Sequence, residues 1–301
     1  MSHPVQIRKE ENENWGTLYH LESEELEVAV TADLGPRVIH LSRKGRRNIL
    51  ATFPADRIDP HPEEWQLYGG HRLWHAPEAR PRTYIADNRP VTIDKGEDQI
   101  TARQDVEAAT GIEKALSISF TRSDQIRVSH RLANRGLWEI ELAPWAITVL
   151  APGGFAVTPL PTTSHPDRLL PNRTISLWPY THPGDERYLY GENHILVRQQ
   201  SAKDPAKIGV LNNLGWTAYY ISPFLFVKRF TFFENASYPD FGSSVEIYTN
   251  SEMLELETLG PLVKLSPQET VTHEEYWEIL EVGEVPFSEA GAIEVARLVS
   301  N

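Results

Sequence analysis

Between Tyr68 and Glu78 the chain reads Tyr-Gly-Gly-His-Arg-Leu-Trp-His-Ala-Pro-Glu. Histidine exchanges protons near neutral pH, arginine offers a planar fork of donors, and indole and phenol rings stack on apolar ring faces. The stretch therefore reads as one lip of a site for a polar ligand, with a sugar as the best fit. A second candidate lies far away in sequence. Ser251 to Gly260 reads Ser-Glu-Met-Leu-Glu-Leu-Glu-Thr-Leu-Gly. In a strand, Leu254 and Leu256 face one way, while Glu255 and Glu257 face the other. Their Cα atoms then stand ~6.5–7 Å apart by strand geometry. Neighbouring carboxylates repel, which raises one pKa in a partly dry site and suits acid–base work. A solvated outer face gives the same pattern.

Each candidate also has a plainer role. Arg72 is a fork for a carboxylate or vicinal hydroxyls, or a partner that locks Glu78. Tyr68, Trp74, Trp145 and Trp178 are stacking platforms or core. His71 and His75 lie four apart, which on a helix suits a metal, but Pro77 follows closely and no helical pattern is present. The expectation is no metal and no cofactor. Arg37 and Tyr248 are weaker candidates.

The elements that must position these residues read as strands. Leu26, Val28 and Val30 alternate with Glu25, Glu27 and Ala29, and Asp33-Leu34-Gly35-Pro36 is turn chemistry. Arg37–Leu41 reads as the next strand, Arg43–Arg47 as a hairpin tip, and Asn48-Ile49-Leu50 as the start of a third. Residues 54–90 are rich in proline, charge and aromatics, and read as an irregular excursion that carries a site. Strands return from Val91 to Leu150, with turns at Asp94–Glu97 and Asn134–Gly136. Residues 159–190 form a second irregular region. Further strands are expected at Ile195–Arg198, Thr217–Ile221, Phe224–Phe233, Ser244–Tyr248, Met253–Thr258 and Val271–Leu280. Ser288 is a good N-cap for a helix to Ser300.

Short strands without a βαβ rhythm predict an all-β sandwich or barrel. One domain over 15–301 is expected, after a polar lead-in at 1–14. Of 301 residues, 40 % are hydrophobic, enough for a packed core. The net charge of -13, without a long basic run, argues against nucleic acid as partner. The chain has no cysteine, which excludes disulfides, thiolate metal sites and a thiol nucleophile. The polar N-terminus and the lack of a long apolar run predict a cytoplasmic protein with no membrane partner. Nothing in the sequence sets its oligomeric state.

Two motifs also carry a resemblance. Leu254-Glu255-Leu256-Glu257-Thr258, with Leu265-Ser266-Pro267-Gln268-Glu269-Thr270 and the strand to Tyr276-Trp277, resembles the C-terminal segment of the galactose mutarotase (aldose 1-epimerase) superfamily. There an "LET" strand carries the catalytic glutamate and an "L-x-P-G-E" turn follows. Gly69-Gly70 with Trp74 resembles its "HGG…W" segment, and Val28–Leu50 its N-terminal hairpins. The string Gly-Gly-His-Arg-Leu-Trp-x-Ala-Pro-Glu resembles a signature of a poorly characterised bacterial branch.

The resemblance implies an all-β, two-sheet, mostly antiparallel β-supersandwich with a short C-terminal helix. It implies a sugar site and a general base at Glu257. Tyr68 falls where mutarotases place a sugar-binding histidine, with His71 as a substitute. Trp145 falls near their general-acid histidine and has no proton to give. The proton donor would then be His71, His75 or Glu255. The expected activity is aldose 1-epimerase-like, with a small-molecule sugar or oligosaccharide as partner. The site is drawn from Glu257, His71, Arg72, Tyr68, Trp74, His75, Glu78, Trp145 and Glu255. A non-catalytic sugar-binding domain and a glycan-cleaving enzyme with paired glutamates are the alternatives.

Overall fold

The structure is a computed structural model that describes residues 5–53, 64–162, 169–202 and 204–300. In chain order the strands are β1 (Gln6–Asn12), β2 (Gly16–Glu22), β3 (Leu26–Thr31), β4 (Arg37–Arg43), β5 (His71–Ala76), β6 (Thr92–Lys95), β7 (Gln99–Arg103), β8 (Ile112–Arg122), β9 (Gln125–Asn134), β10 (Ile140–Leu150) and β11 (Phe155–Pro159). They continue as β12 (Ile175–Leu177), β13 (Tyr188–Tyr190), β14 (His194–Arg198), β15 (Ala206–Val210), β16 (Trp216–Ile221), β17 (Phe224–Phe230), β18 (Val245–Thr249), β19 (Leu254–Leu259), β20 (Val263–Leu265) and β21 (Thr270–Glu281). Among the described residues the helical elements are a 3-10 turn at Arg82–Tyr84, a single turn α1 (Pro239–Gly242) whose Asp240 and Phe241 take left-handed φ, and the C-terminal α2 (Glu289–Ser300).

Two antiparallel sheets hold these strands. The eleven-stranded sheet runs β1-β2-β3-β4-β5-β10-β19-β18-β15-β12, with β20 also on β10. The ten-stranded sheet runs β13-β14-β11-β16-β17-β21-β9-β8-β7-β6. Leu73, Leu254, Leu256, Ile247 and Ile208 of the first sheet share one buried cluster with Leu116, Ile118, Phe226 and Trp277 of the second. That apolar layer binds the sheets face to face. On the far side of the ten-stranded sheet, Val157, Leu196, Leu225 and Val227 pack against Ala292, Val295 and Val299 of α2. The helix begins where expected: the Ser288 hydroxyl accepts from the Gly291 N–H at 3.2 Å.

Four expectations are corrected. Residues 6–12 of the supposed polar lead-in form β1, paired with β2 along its whole length. The strand reads as polar because it is an edge strand whose Arg8 bonds Glu22 and Glu27. The third strand expected from Asn48 is only an isolated bridge, Leu50 to Leu150. Residues 71–76, inside the supposed irregular excursion, form the interior strand β5, and all six are buried. Alternation is hidden there because polar and aromatic residues occupy both faces. Ala206–Val210 forms β15, a strand absent from the expected set. Pro54 to Pro62, also counted in that excursion, lie outside the described residues.

The turn at Ser266–Glu269 closes as anticipated, with the Glu269 N–H donating to Ser266 O at 3.0 Å. Gln268 takes a left-handed φ of 72° there. The resemblance places glycine at that position, where the absence of Cβ removes the strain.

Candidate functional site

The face of the eleven-stranded sheet that points away from the second sheet carries a cavity of about 330 Å³. Strand register explains its lining. Arg72 pairs with Ile147, Ile147 with Glu257, and Glu257 with Glu246. Two positions along, Val149, Glu255, Tyr248 and Lys207 form the next row on the same face. Residues in such rows share one face of the pleat. The wall is completed by Trp65 and Leu67 before β5, and by Glu78, Arg80 and Tyr84 after it. Tyr180, Asn250 and Met253 also line it.

Two cation–carboxylate pairs, each set against two tryptophans, organise the floor. Arg72 Nη2 donates to Glu255 Oε1 at 3.2 Å. Its guanidinium lies 4.7 Å from the Trp74 ring centre and 5.9 Å from that of Trp65. Lys207 Nζ sits 2.9 Å from Glu257 Oε2 and 2.7 Å from Glu246 Oε2. It lies 4.5 Å from the Trp145 ring centre and 4.8 Å from that of Trp178. Both cations are stabilised by ring quadrupoles as well as by charge.

Burial sets the proton affinities. Burial raises the Glu255 pKa, Arg72 opposes that rise, and the Glu257 charge adds to it. Burial pushes Glu246 well above the carboxylate range, with Lys207 pulling the other way and Glu257 reinforcing the rise. Burial alone would lower Lys207, but Glu246 and Glu257 outweigh it, and its pKa is raised. A protonatable carboxyl thus lines the cavity at Glu255, and a firmly protonated ammonium lies beside it.

Of the residues singled out in the sequence, Arg72, Trp74, Glu78, Trp145 and Glu255 line the cavity, as does Tyr248. Glu257 faces the same side but is fully buried and held by two donors. These are Lys207 and the Trp145 indole N–H, 2.6 Å from Glu257 Oε2. Its other oxygen, Oε1, has no hydrogen-bond partner. Trp145, standing where the resemblance expects an acid, therefore serves as a donor to the glutamate.

His71, His75 and Tyr68 are not in the site. Alternation along β5 sends His71 and His75 to the inner face, opposite Arg72 and Trp74. His71 is fully buried, packed edge-on against Trp277 at 4.6 Å between ring centres. Its hydrogen bonds fix a tautomer. The carbonyl of His273 only accepts, so His130 Nδ1 donates to it at 2.9 Å. Burial pulls the His130 pKa down, so its Nε2 is a lone pair. His71 Nε2 then donates to that atom at 2.6 Å, and the Thr148 hydroxyl donates to His71 Nδ1 at 2.8 Å.

His71, His130 and Glu275 bring their donor atoms within 4.8 Å of one another, an arrangement that suits a cation. Lys228 already supplies the positive charge, 2.7 Å from Glu275. His75 is buried with neither ring nitrogen hydrogen-bonded, and burial drives its pKa down to about 2. A metal gathered from His71, His75 and Glu78 is ruled out by the same alternation, since Glu78 faces the cavity. Tyr68 is buried beside Trp15, Leu18, Leu34 and Ile39, beneath the guanidinium of Arg37. Arg37 donates to Gly69 O at 2.6 Å and pairs with Asp87, a structural role.

Lys207, Trp65, Arg80, Tyr84, Tyr180, Asn250 and Glu246 escaped the sequence reading. For Lys207 a signal exists: it is a lone cation in the apolar run Ala-Lys-Ile-Gly-Val. A buried lysine must find a carboxylate.

No protein-family model and no curated protein matches this sequence. Solved structures do. A putative mutarotase from Salmonella typhimurium superposes with a TM-score of 0.59 at 10% identity, over 93% of this chain and 97% of that one. A galactose mutarotase-like protein from Clostridium acetobutylicum gives 0.56 at 13%, over 93% and 99%. A TPR-domain containing protein from Parabacteroides distasonis gives 0.57 at 15%, and there the chain spans 91% of its own length but only 49% of the other's. The fold is that of the galactose mutarotase-like proteins. Identities this low establish the architecture, and the chemistry has to be argued from the cavity.

Proposed function

We propose that this protein binds a saccharide in the cavity and exchanges protons at its anomeric centre, as an aldose 1-epimerase does. The observation that carries the reading is Glu255. It is a cavity-lining carboxyl whose pKa burial raises, the direction that suits a group exchanging protons near neutral pH. Trp65, Trp74, Tyr84, Trp145, Tyr180 and Tyr248 supply the rings on which a pyranose stacks. In ring opening, Glu255 gives its proton to the ring oxygen, and the Oε1 atom of Glu257, once the ligand uncovers it to the cavity, takes the proton of the anomeric hydroxyl. The C1–O5 bond breaks, C1 becomes a carbonyl carbon, and rotation about C1–C2 precedes the reverse steps. No cofactor enters this chemistry.

The test is anomer interconversion across a sugar panel, followed by polarimetry or NMR. Glu255→Gln is expected to lower the rate by about 10²–10⁴-fold, the usual contribution of a positioned acid or base. Its sugar affinity should be retained. Wild-type rates no faster than buffer would remove the catalytic claim.

One observation favours a second reading, a non-catalytic sugar-binding domain. Glu257 is covered by Lys207 and Trp145 and does not form part of the cavity wall. That reading expects saturable binding by calorimetry, unchanged in Glu257→Gln, without turnover. The cavity gives no support to glycan cleavage by the paired glutamates. Glu255 and Glu257 come from one strand on one side of the cavity, whereas hydrolysis needs carboxyls flanking the bond.

A further inference from the structure

We propose that the saccharide is acidic, and that Arg72 reads its carboxylate. The inference rests on the saccharide reading above and names the substrate class for the same site.

Charge on the wall is the first argument. The chain holds 29 Lys and Arg against 42 Asp and Glu. The cavity lining reverses that balance, with Arg72, Arg80 and Lys207 against Glu78 and Glu255. Glu246 and Glu257 are fully buried behind the lining and are occupied with Lys207. Glu78 is engaged by the Tyr84 hydroxyl. The buried cation with unused donors is Arg72; Arg80 is exposed, with its guanidinium over the Tyr84 ring.

The second argument is the way Arg72 is bonded. It is only 3% exposed, yet Nε and Nη1 have no hydrogen-bond partner. Among the described residues its one polar contact is the 3.2 Å bond from Nη2 to Glu255. Nη2 belongs to both edges of the guanidinium fork, Nε–Nη2 and Nη1–Nη2. Glu255 therefore takes one nitrogen and leaves each edge half used. A carboxylate that displaces Glu255 from Nη2 gains a second nitrogen on either edge, the bidentate geometry in which guanidinium and carboxylate match. A neutral hydroxyl offers no charge to replace the one displaced. Trp74 and Trp65 hold the guanidinium from its faces, which leaves its in-plane edges for the ligand.

The displacement has a proton consequence. Arg72 is the group that most opposes the rise in the Glu255 pKa, with Lys207 adding a smaller opposition. When a ligand carboxylate takes over Arg72, that opposition weakens, and Glu255 takes up a proton from solvent. Binding of an acidic sugar is therefore accompanied by proton uptake, whereas a neutral sugar that leaves the Arg72–Glu255 bond in place takes up none.

The experiment is calorimetric titration of the full chain at pH 7 in two buffers of different ionisation enthalpy. The ligands are glucuronate and galacturonate, glucose and galactose, and glucose 6-phosphate. Uronates are expected to bind about tenfold or more tightly than the matched neutral sugars, the scale of one charge-assisted hydrogen bond. Their apparent enthalpy should differ between buffers in the sense of proton uptake. Arg72→Gln, checked for its fold by circular dichroism, should lose the preference. The proton-uptake measurement uses the unaltered protein and stands even where that variant does not fold. Equal affinity for uronates and neutral sugars overturns this inference and leaves the saccharide reading standing. Tighter binding of the sugar phosphate overturns the carboxylate assignment. No binding of any sugar overturns both readings.

Discussion

Lys207 is the residue on which the floor of the cavity depends. It holds two fully buried glutamates that have no other cation within bonding distance among the described residues. Replacing it by methionine keeps the volume and removes the charge. Lys207→Met is expected to cost about 3–5 kcal/mol, because breaking a buried pair leaves charge uncompensated. Adding Glu257→Gln should recover part of the loss. Denaturant midpoints of the single and double variants check this, and a single-variant loss below about 1 kcal/mol contradicts the arrangement. His75 gives a second prediction. In the folded chain burial drives its pKa down to about 2, with Lys114 and Arg82 adding to the fall. Unfolded, it titrates near 6.5. Below that value the unfolded chain binds the proton and the folded chain does not, so stability is complete above pH 6.5 and falls as the pH drops. The slope from one such histidine is about 1.4 kcal/mol per pH unit. His75→Phe removes it, and its advantage over wild type should widen from pH 7 to pH 5 in thermal melts. A constant difference would contradict the assignment. Glu246 and Glu255, with raised pKa values, act in the opposite direction over the acid range, so the comparison is made at one site. In the sequence, the residue types of the site could be read but not their side. Arg72, Trp74 and Glu255 are legible as candidates and line the cavity. His71 and His75 have the same polarity and point into the sandwich, because a buried polar network looks like a binding site when only composition is seen.

At the scale of elements, β5 decides the site, and the two glycines before it decide β5. Gly69 and Gly70 take φ values of 75° and 70°. A Cβ on Gly70 would meet Val38 O at 2.2 Å. The Gly70 N–H donates to Ala51 O at 2.8 Å, and Gly70 O accepts from the Val149 N–H at 2.8 Å. This tight entry sets which face Arg72 occupies. Gly70→Ala combines left-handed strain of about 1–2 kcal/mol with a backbone clash. It should lower the denaturant midpoint and weaken ligand binding together, and an unchanged midpoint would show that the turn tolerates a side chain. The strand itself was hard to read because both of its faces are buried and both carry histidine, arginine or tryptophan. The alternation in residues 254–257 is easy by comparison, since leucine lies on one face and glutamate on the other. Edge strand β1 was hidden for another reason. Its partner is charged chemistry at the surface, so its sequence lacks the apolar signal of a core strand.

At the scale of the whole molecule, the all-β class and the terminal helix follow from short alternating segments and one capped amphipathic stretch, and the two-sheet arrangement from the resemblance. The pairing order does not, because nothing in local sequence says that β5 lies beside β10 and β10 beside β19. That order has a kinetic meaning. β5 has only two paired residues with β4, Arg37 with Arg72 and Val38 with His71. It gains a full ladder only from β10, where Ala76 meets Ala143. β10 is completed in turn by β19, where Trp145 meets Leu259. Closing loops this long costs chain entropy before any contact repays it, which makes the assembly of such a sheet slow. During synthesis, the strand that carries Arg72 is paired once β10 emerges, at mid-chain, but β10 then waits with an open edge until β19 emerges in the last fifth of the chain. The cavity is complete only once β19 has emerged, and a chain cut short before β19 is left with an unpaired edge on β10 instead of a weakened cavity.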